Sequence, residues 1–555
     1  MSSWTTKAFF AETRWPFLMA SVALPLAGAA FLLLAAPTIF SREMSWDLLF
    51  NLEGAWSLWN GQQLHVDVHD PLGIVTFGLT AFGFHIAGVG LRAFLVGETL
   101  YASLMLAAAL CIFPRRLPPV AAAIATLYVV LLVLVPTNLG DAIETYSFAT
   151  SYNRLGWSAL TLLFVVLFLA PRREDHAWLD QGVALVLSVL LFYLKITYFG
   201  VGIAAIFAAI LLSSHVRRHV GIWLGILATI LIIASAPFNF PYWDDIWAAI
   251  QTGAVRLDFA TQIKNVVRSK DTAIIAVELV CLLYLRRAGV PWHRLASAVF
   301  IIGCGAFILS QNQQSDGIAV YIVVALLLFD SARMAFMGPL RLRVREAALL
   351  LGAVLVAPSI DVAFMGASLV GYYVKATASD NQVAEDTNLR GLAVTPEQPD
   401  LIALFSGSTV TPSLLNAARL KHPQYELTQP EYLKTILQAA GIVRNLMAST
   451  GTARPPRIGL LDAVNPLPFM LGLPPPRGPL WLDPEFPWPR PAEFLGELDY
   501  VLVPKFPTDS ASARMALQHY ETFLAEHFRR TENESWVIFQ RDDDIVTPIG
   551  RVTAE

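Results

Sequence analysis

Residues 41–73 read SREMSWDLLFNLEGAWSLWNGQQLHVDVHDPLG and follow an apolar run from Pro16 to Phe40. At 100° per residue, Leu48, Leu49, Leu52, Ala55, Trp56 and Trp59 share one arc of a helix, and Asp47, Asn51 and Gly54 share the opposite arc. Such a helix is expected to lie along a membrane surface, with Asp47 facing away from lipid. A carboxylate there can accept a proton from a substrate hydroxyl. It can equally cap a helix, since Asp before a Leu-rich run is a common N-cap. Further on, the extended run places His65, Asp67 and His69 on one strand face. Zinc accepts those ligand types, and simple burial alternation produces the same pattern.

Working outward, 55% of the 555 residues are hydrophobic and 15% are charged, with a mean hydropathy of +0.54. A soluble domain carries about 25% charged residues, so membrane is the default class. The net charge is −4 and no basic stripe interleaved with aromatics is present, which argues against a nucleic-acid partner. Cys111, Cys281 and Cys304 all lie in apolar segments, so no disulfide framework is expected.

The Pro16–Phe40 run, preceded by Lys7 and Arg14, is longer than a signal-peptide core and is expected to be a retained first span. Further apolar blocks lie near 93–113, 117–136, 156–171, 181–194, 198–214, 220–236, 271–287, 293–309, 317–330 and 346–366. The expectation is about eleven spans, several of them short. Arg115-Arg116, Arg172-Arg173, Arg217-Arg218, Arg286-Arg287 with Arg294, and Arg341, Arg343 and Arg345 fall on one side if the N-terminus is cytoplasmic. The other face receives 41–92, 137–155, 237–270, 310–316 and everything after about residue 371. In a bacterial inner membrane that face is the periplasm.

The expected organisation is a transmembrane unit over 1–371, with a first periplasmic loop at 41–92, and a soluble α/β domain over 372–555. The latter carries 16 Lys+Arg against 22 Asp+Glu. Helical periodicity covers Gln429–Thr450 and Ser510–His527, and short strands are predicted at Arg457–Asp462, Tyr500–Pro504 and Trp536–Gln540. No internal repeat is evident.

The first loop resembles that of the GT-C glycosyltransferases, polytopic enzymes that take sugars from polyprenyl-phosphate carriers, such as protein O-mannosyltransferases and aminoarabinose transferases. The resemblance rests on Asp47 opening a helix after the first span, the Gly61-Gln62 turn, and Asp70-Pro71-Leu72 where many members have Pro-Pro-Leu. Many members carry two adjacent acids followed by an aromatic, whereas Asp47 is followed by Leu48. The resemblance implies a GT-C-like fold and an inverting transfer to a lipid, glycan or protein acceptor in the envelope. Asp47 would be the base, with Glu53 or Asp70 in support. Some GT-C families need no metal, so no cofactor is certain, and a divalent ion at His65, Asp67 and His69 is an open option. A non-enzymatic transporter or assembly partner for lipid-linked sugars is the alternative.

The donor's phosphate needs positive charge. Cations near apolar segments on the outer side are Arg92, Arg154, Lys195, Lys264 and Arg268, of which Arg92 and Lys195 stand out. Arg92 stands where the resemblance places an arginine entering the second span, and Lys195 interrupts LLFYLKITYF, where an ionisable group is expensive unless it binds something or snorkels. Ser151-Tyr152-Asn153-Arg154 and Gln311–Gln314 could bind sugar hydroxyls or end helices. Trp243-Asp244-Asp245 reads as a helix cap, and Arg541–Asp544 as a solvated acidic turn.

Overall fold

A computed structural model describes residues 15–41, 45–172, 177–252, 259–269, 271–287, 289–311, 317–337, 344–379, 382–383, 386–394, 429–450, 454–482, 488–505 and 510–542. Arg173, Arg341, Arg343, Asn312–Gln314, Asp543 and Asp544 lie outside them. The chain is largely helical through Val344–Ala378 and ends in a small mixed sheet.

Four described helices are long and apolar enough to cross a membrane: Arg92–Arg115, Ser151–Phe168, Trp292–Gln311 and Leu355–Ala378. A fifth is added if Val220–Ala234 and Pro237–Gln251, bent by 60° at their junction, form one span. Shorter apolar helices occupy Met19–Leu34, Ile74–Ala87, Pro119–Leu134, Ala177–Phe192 and Ile196–Leu212. About eleven full-length spans are therefore not reached by length alone. A 14-residue helix such as Ile74–Ala87 rises only about 21 Å.

That helix lies within the stretch 41–92 expected as the first loop. Ile74–Ala87 turns at Gly88–Leu91 and packs antiparallel against Arg92–Ile112. Gly83 abuts the Ala93 backbone, and a Cβ on Gly97 would lie 2.8 Å from the Leu79 carbonyl carbon. Glycines let the two backbones approach this closely.

Among the described residues, the basic loops at 115–116, 172, 215–218 and 294 come together. Arg115 Nη1 and Arg116 Nη2 each lie 2.8 Å from the Asp180 carboxylate. Arg172 donates to the Arg116 carbonyl, and its backbone N–H donates to that of Arg115. His215 sits within electrostatic reach of Arg116 and Arg294.

The predicted C-terminal elements form as expected: helices Gln429–Thr450 and Ser510–His527, and strands Ile458–Leu460, Tyr500–Pro504 and Trp536–Arg541. Tyr500–Pro504 pairs parallel with Ile458–Leu460 and antiparallel with Trp536–Arg541, which pairs antiparallel with Phe528–Glu532. This region is stitched to the rest of the chain. Ile39–Ser41 pairs with Leu392–Val394, and Val68–His69 pairs with Gly478–Pro479. One apolar core runs from Val22 through the bundle to Tyr432, Ile458 and Trp536, and a second, smaller one surrounds Leu495, Val501 and Tyr520.

The Ser45–Trp59 helix is consequently not a surface helix. Leu48 through Ser57 are all buried. Its polar arc packs on Ile74–Ala87, where Asn51 Nδ2 donates to the Thr76 carbonyl (2.7 Å), Thr80 Oγ1 donates to Asn51 Oδ1 (2.6 Å), and Gly54 admits the Phe77 ring. The C-terminal region also covers part of the helix: Trp56 Nε1 donates to the Leu473 carbonyl at 2.8 Å, and Trp481 meets Phe50 edge to face. Burying such aromatics while satisfying the indole N–H holds the helix firmly.

Candidate active site: a carboxylate, a lysine and a histidine clamp

Asp47 lies in the first turn of the Ser45–Trp59 helix, half-buried, and its Oδ2 accepts the backbone N–H of Thr150 at 3.0 Å. Thr150 precedes the Ser151–Phe168 helix in a left-handed conformation, φ 48° and ψ 31°, which few non-glycine residues adopt. Thr150 Oγ1 donates to Asn138 Oδ1 at 3.4 Å, which anchors the turn. Burial pushes the Asp47 carboxyl up to about 6, and the Thr150 N–H offsets part of that rise.

The next residues complete the surroundings. Tyr152 lies within electrostatic reach of both Asp47 and Asp70. Lys195 Nζ sits 4.8 Å from the centre of the Tyr152 ring and donates to Asn153 Oδ1 at 3.2 Å. Asn153 Nδ2 is buried and has no partner among the described residues. Lys195 occupies the break between Ala177–Phe192 and Ile196–Leu212, where desolvation lowers its ammonium to about 8 and Asp70 opposes the fall. That break is bound to the end of the first loop: Leu72 bridges to Lys195, Gly73 N–H donates to the Leu194 carbonyl, and Val75 N–H donates to the Tyr193 carbonyl.

Asp70 is buried, and its Oδ1 accepts the Leu72 N–H at 2.8 Å. Desolvation raises its carboxyl to about 8 against the Leu72 hydrogen bond, with Asp245 adding to the rise. Its own N–H donates to Asp245 Oδ2 at 3.2 Å. Asp245 holds both histidines of the first loop, with His65 Nδ1 at 2.9 Å from Oδ2 and His69 Nδ1 at 2.9 Å from Oδ1. The Asp245 hydrogen bond raises His69 above the usual imidazole value despite partial burial. His65 has φ 68° and its ring lies 4.5 Å from that of Tyr242.

Several expectations change here. Asp244 and Asp245 are not caps, because the Phe240–Gln251 helix starts earlier, after Asn239. His65, Asp67 and His69 do not converge on one point. Asp67 Oδ2 accepts the Gln63 N–H, and its Oδ1 lies 3.1 Å from Arg477. Both histidine Nδ1 atoms are engaged by Asp245, and among the described residues no group of three His, Cys, Asp or Glu is arranged to hold a metal ion.

Glu53 faces the C-terminal region, accepting the Phe469 N–H at 3.3 Å beside a cavity of about 20 Å³ that Ser57, Asp462 and Asn465 also line. Arg154 is buried against Glu98, Nη2 to Oε2 at 3.5 Å, and donates to the Thr137 carbonyl at 3.4 Å. Its charge is matched within the protein. Arg92 is exposed, and its guanidinium forms no ion pair with another described residue; Lys264 and Arg268 are exposed as well. The structure thus brings together Asp47, Asp70, Lys195, His65 and His69. It adds Thr150, Tyr152, Asn153 and Asp245, of which Tyr152 and Asn153 were signalled by their polar cluster.

No protein-family model matches the chain, and no curated protein matches it. Among solved structures, the crystal structure of ArnT from Cupriavidus metallidurans bound to undecaprenyl phosphate aligns with a TM-score of 0.49 at 11% sequence identity, covering 96% of this chain and 99% of that one.

Proposed function

We propose that this protein is a GT-C-type membrane glycosyltransferase that moves a sugar from a polyprenyl-phosphate donor to an envelope acceptor, with inversion, at the periplasmic face of a bacterial inner membrane. The observation that carries this reading is the half-buried Asp47 carboxylate, fixed by the Thr150 N–H and facing the same polar region as Tyr152 and Lys195.

A carboxyl raised to about 6 is ionised at neutral pH yet basic enough to take a proton from an acceptor hydroxyl in the transition state. Lys195 supplies a cation for the leaving phosphate. Asn153 Nδ2 and the Tyr152 ring supply a donor and a stacking face for a sugar. Asp70, through the Leu72 N–H, ties the first loop to the helix break. Asp245, through His65 and His69, closes the extended part of the loop over the same region. The sequence resemblance of the first loop and the gathering of these basic loops support the orientation.

The test is turnover of short-chain polyprenyl-phosphate sugars by the detergent-purified protein. Transfer or slow sugar hydrolysis by the parent, lost in Asp47→Asn with binding retained, is the expected result. Full activity of a correctly folded Asp47→Asn protein would overturn the assignment.

A further inference from the structure

The bundle holds a second group of titratable side chains apart from the Asp47 site. Asp271 and Glu278 lie seven residues apart on the Asp271–Arg287 helix, two turns along one face, and both are buried. Asp271 is well satisfied, its Oδ2 accepting the Ile318 N–H at 2.7 Å and its own N–H donating to Ser269 Oγ at 3.3 Å. Glu278 is only 4% exposed, and its Oε2 has no hydrogen-bond partner among the described residues.

Tyr128, from the Pro119–Leu134 helix, lies within electrostatic reach of Asp361, Asp271 and Glu278, and its hydroxyl donates to the Ala319 carbonyl at 3.3 Å. Its ring meets that of Tyr321 edge to face, with centroids 6.0 Å apart. The Tyr321 hydroxyl donates to Asp361 Oδ2 at 2.5 Å. Asp361 lines a cavity of about 210 Å³ together with Asn138, Asp141 and Ser368. Asp361, Tyr321 and Tyr128 therefore form a row leading inward from that cavity, with Asp271 and Glu278 within electrostatic reach of its inner end.

Among the described residues, the other neighbours bring no compensating cation. On its own helix Glu278 feels Asp271 and acts on Cys281. The Trp292–Gln311 helix carries Cys304 in its middle, and its first-turn Arg294 is paired with Asp330 at 2.8 Å. Lys264 and Arg268 on the Phe259–Arg268 helix are exposed. An ionised carboxylate with an unsatisfied oxygen in such a place is very costly, whereas a carboxylic acid is not.

We propose that Glu278 is a proton-binding site inside the helical bundle, reached from the cavity at Asp361 through Tyr321 and Tyr128. Uptake moves one proton from cavity water to the Glu278 carboxylate, and release returns it by the same row. Nothing else is exchanged. Glu278, Tyr128, Tyr321 and Asp361 have no role in the transferase reading, although the cavity at Asp361 shares Asn138 with the turn that holds Thr150.

The experiment uses the full-length purified protein and dicyclohexylcarbodiimide, which adds to a protonated buried carboxyl and rearranges to a stable N-acylurea. Peptide mapping by mass spectrometry over a pH series is expected to find the adduct at Glu278, falling away as pH rises. It should be absent in Glu278→Gln and formed more slowly in Tyr321→Phe. Thermal unfolding gives a second reading: Glu278→Gln, which mimics the neutral acid, should fold and should be relatively more stable than the parent as pH rises. Adduct formation independent of pH, protection by sodium at fixed ionic strength, or parallel unfolding curves for parent and Glu278→Gln at all pH values would each overturn the proposal.

Discussion

The backbone N–H of Thr150 reaches across 103 residues of sequence to donate to the Asp47 carboxylate at 3.0 Å. The strained left-handed turn at Thr150 aims that N–H, and the rigid burial of the Ser45–Trp59 helix aims the carboxylate. Neither element could hold the geometry alone.

Replacing Asp47 by Asn should lower transfer by roughly 10²–10⁴-fold, the range for loss of a general base, while leaving donor affinity within a few-fold. In the parent, the base must be unprotonated to act, so activity should rise with pH through about 6. A pH–rate profile on the purified protein checks both the midpoint and its loss in Asp47→Asn.

Lys195→Met should weaken binding of a polyprenyl phosphate far more than Arg92→Ala, because Lys195 is held beside Tyr152 and Asn153 whereas Arg92 is exposed. Equilibrium binding of the lipid phosphate alone, without sugar, makes the comparison. The reverse ranking would move the phosphate site to the start of the Arg92–Ile112 helix.

Arg154 and Glu98 form a buried pair, so removing one partner leaves an uncompensated charge and should cost about 3–5 kcal/mol. Arg154→Met should lower Tm sharply, and Arg154→Met with Glu98→Leu should recover most of the loss. If Arg154 instead bound the donor phosphate, the single variant would keep its Tm and lose affinity.

The His69 imidazole gains the Asp245 carboxylate on folding and is raised above its unfolded value of about 6.5. Its contribution is therefore fully present below that value and is lost as pH rises through the folded one. Hydrogen exchange over residues 62–70 should be slowest at mildly acid pH and quicken above neutrality. Asp245→Asn should quicken it throughout and flatten the pH dependence.

Glu53 gives the same direction by a different route. Burial raises its carboxyl from 4.5 to about 8, so the folded state holds a proton that the unfolded chain releases, and stability falls as pH rises between those values. Glu53→Gln should be more stable than the parent near pH 8 and similar near pH 4. Paired thermal melts at the two pH values decide it.

Much of this was legible in the chain. Asp47, Asp70 and Lys195 stand out because charge beside apolar runs is expensive, and the Ser510–His527 helix and Tyr500–Pro504 strand follow from local periodicity and β-branched content. The Phe240–Gln251 helix shows where such reading stops. Asp245 resembles a cap in sequence, yet it faces His65 and His69, roughly 180 residues earlier in the chain. The same limit made Ser45–Trp59 look like a surface helix: its amphipathic pattern records that one face is apolar, and says nothing of whether lipid or protein covers it.

The sequence by itself determined the apolar helices, the position of the basic loops and the identity of the first-loop acids, because hydropathy, charge and helical period are local properties. The tertiary structure alone decided that Thr150 holds Asp47, that Asp245 clamps the two histidines, that Glu98 neutralises Arg154, and that Glu278 is left with an unsatisfied oxygen. Each of these depends on which distant segments meet, and that is settled only when the helices pack together and bury these groups.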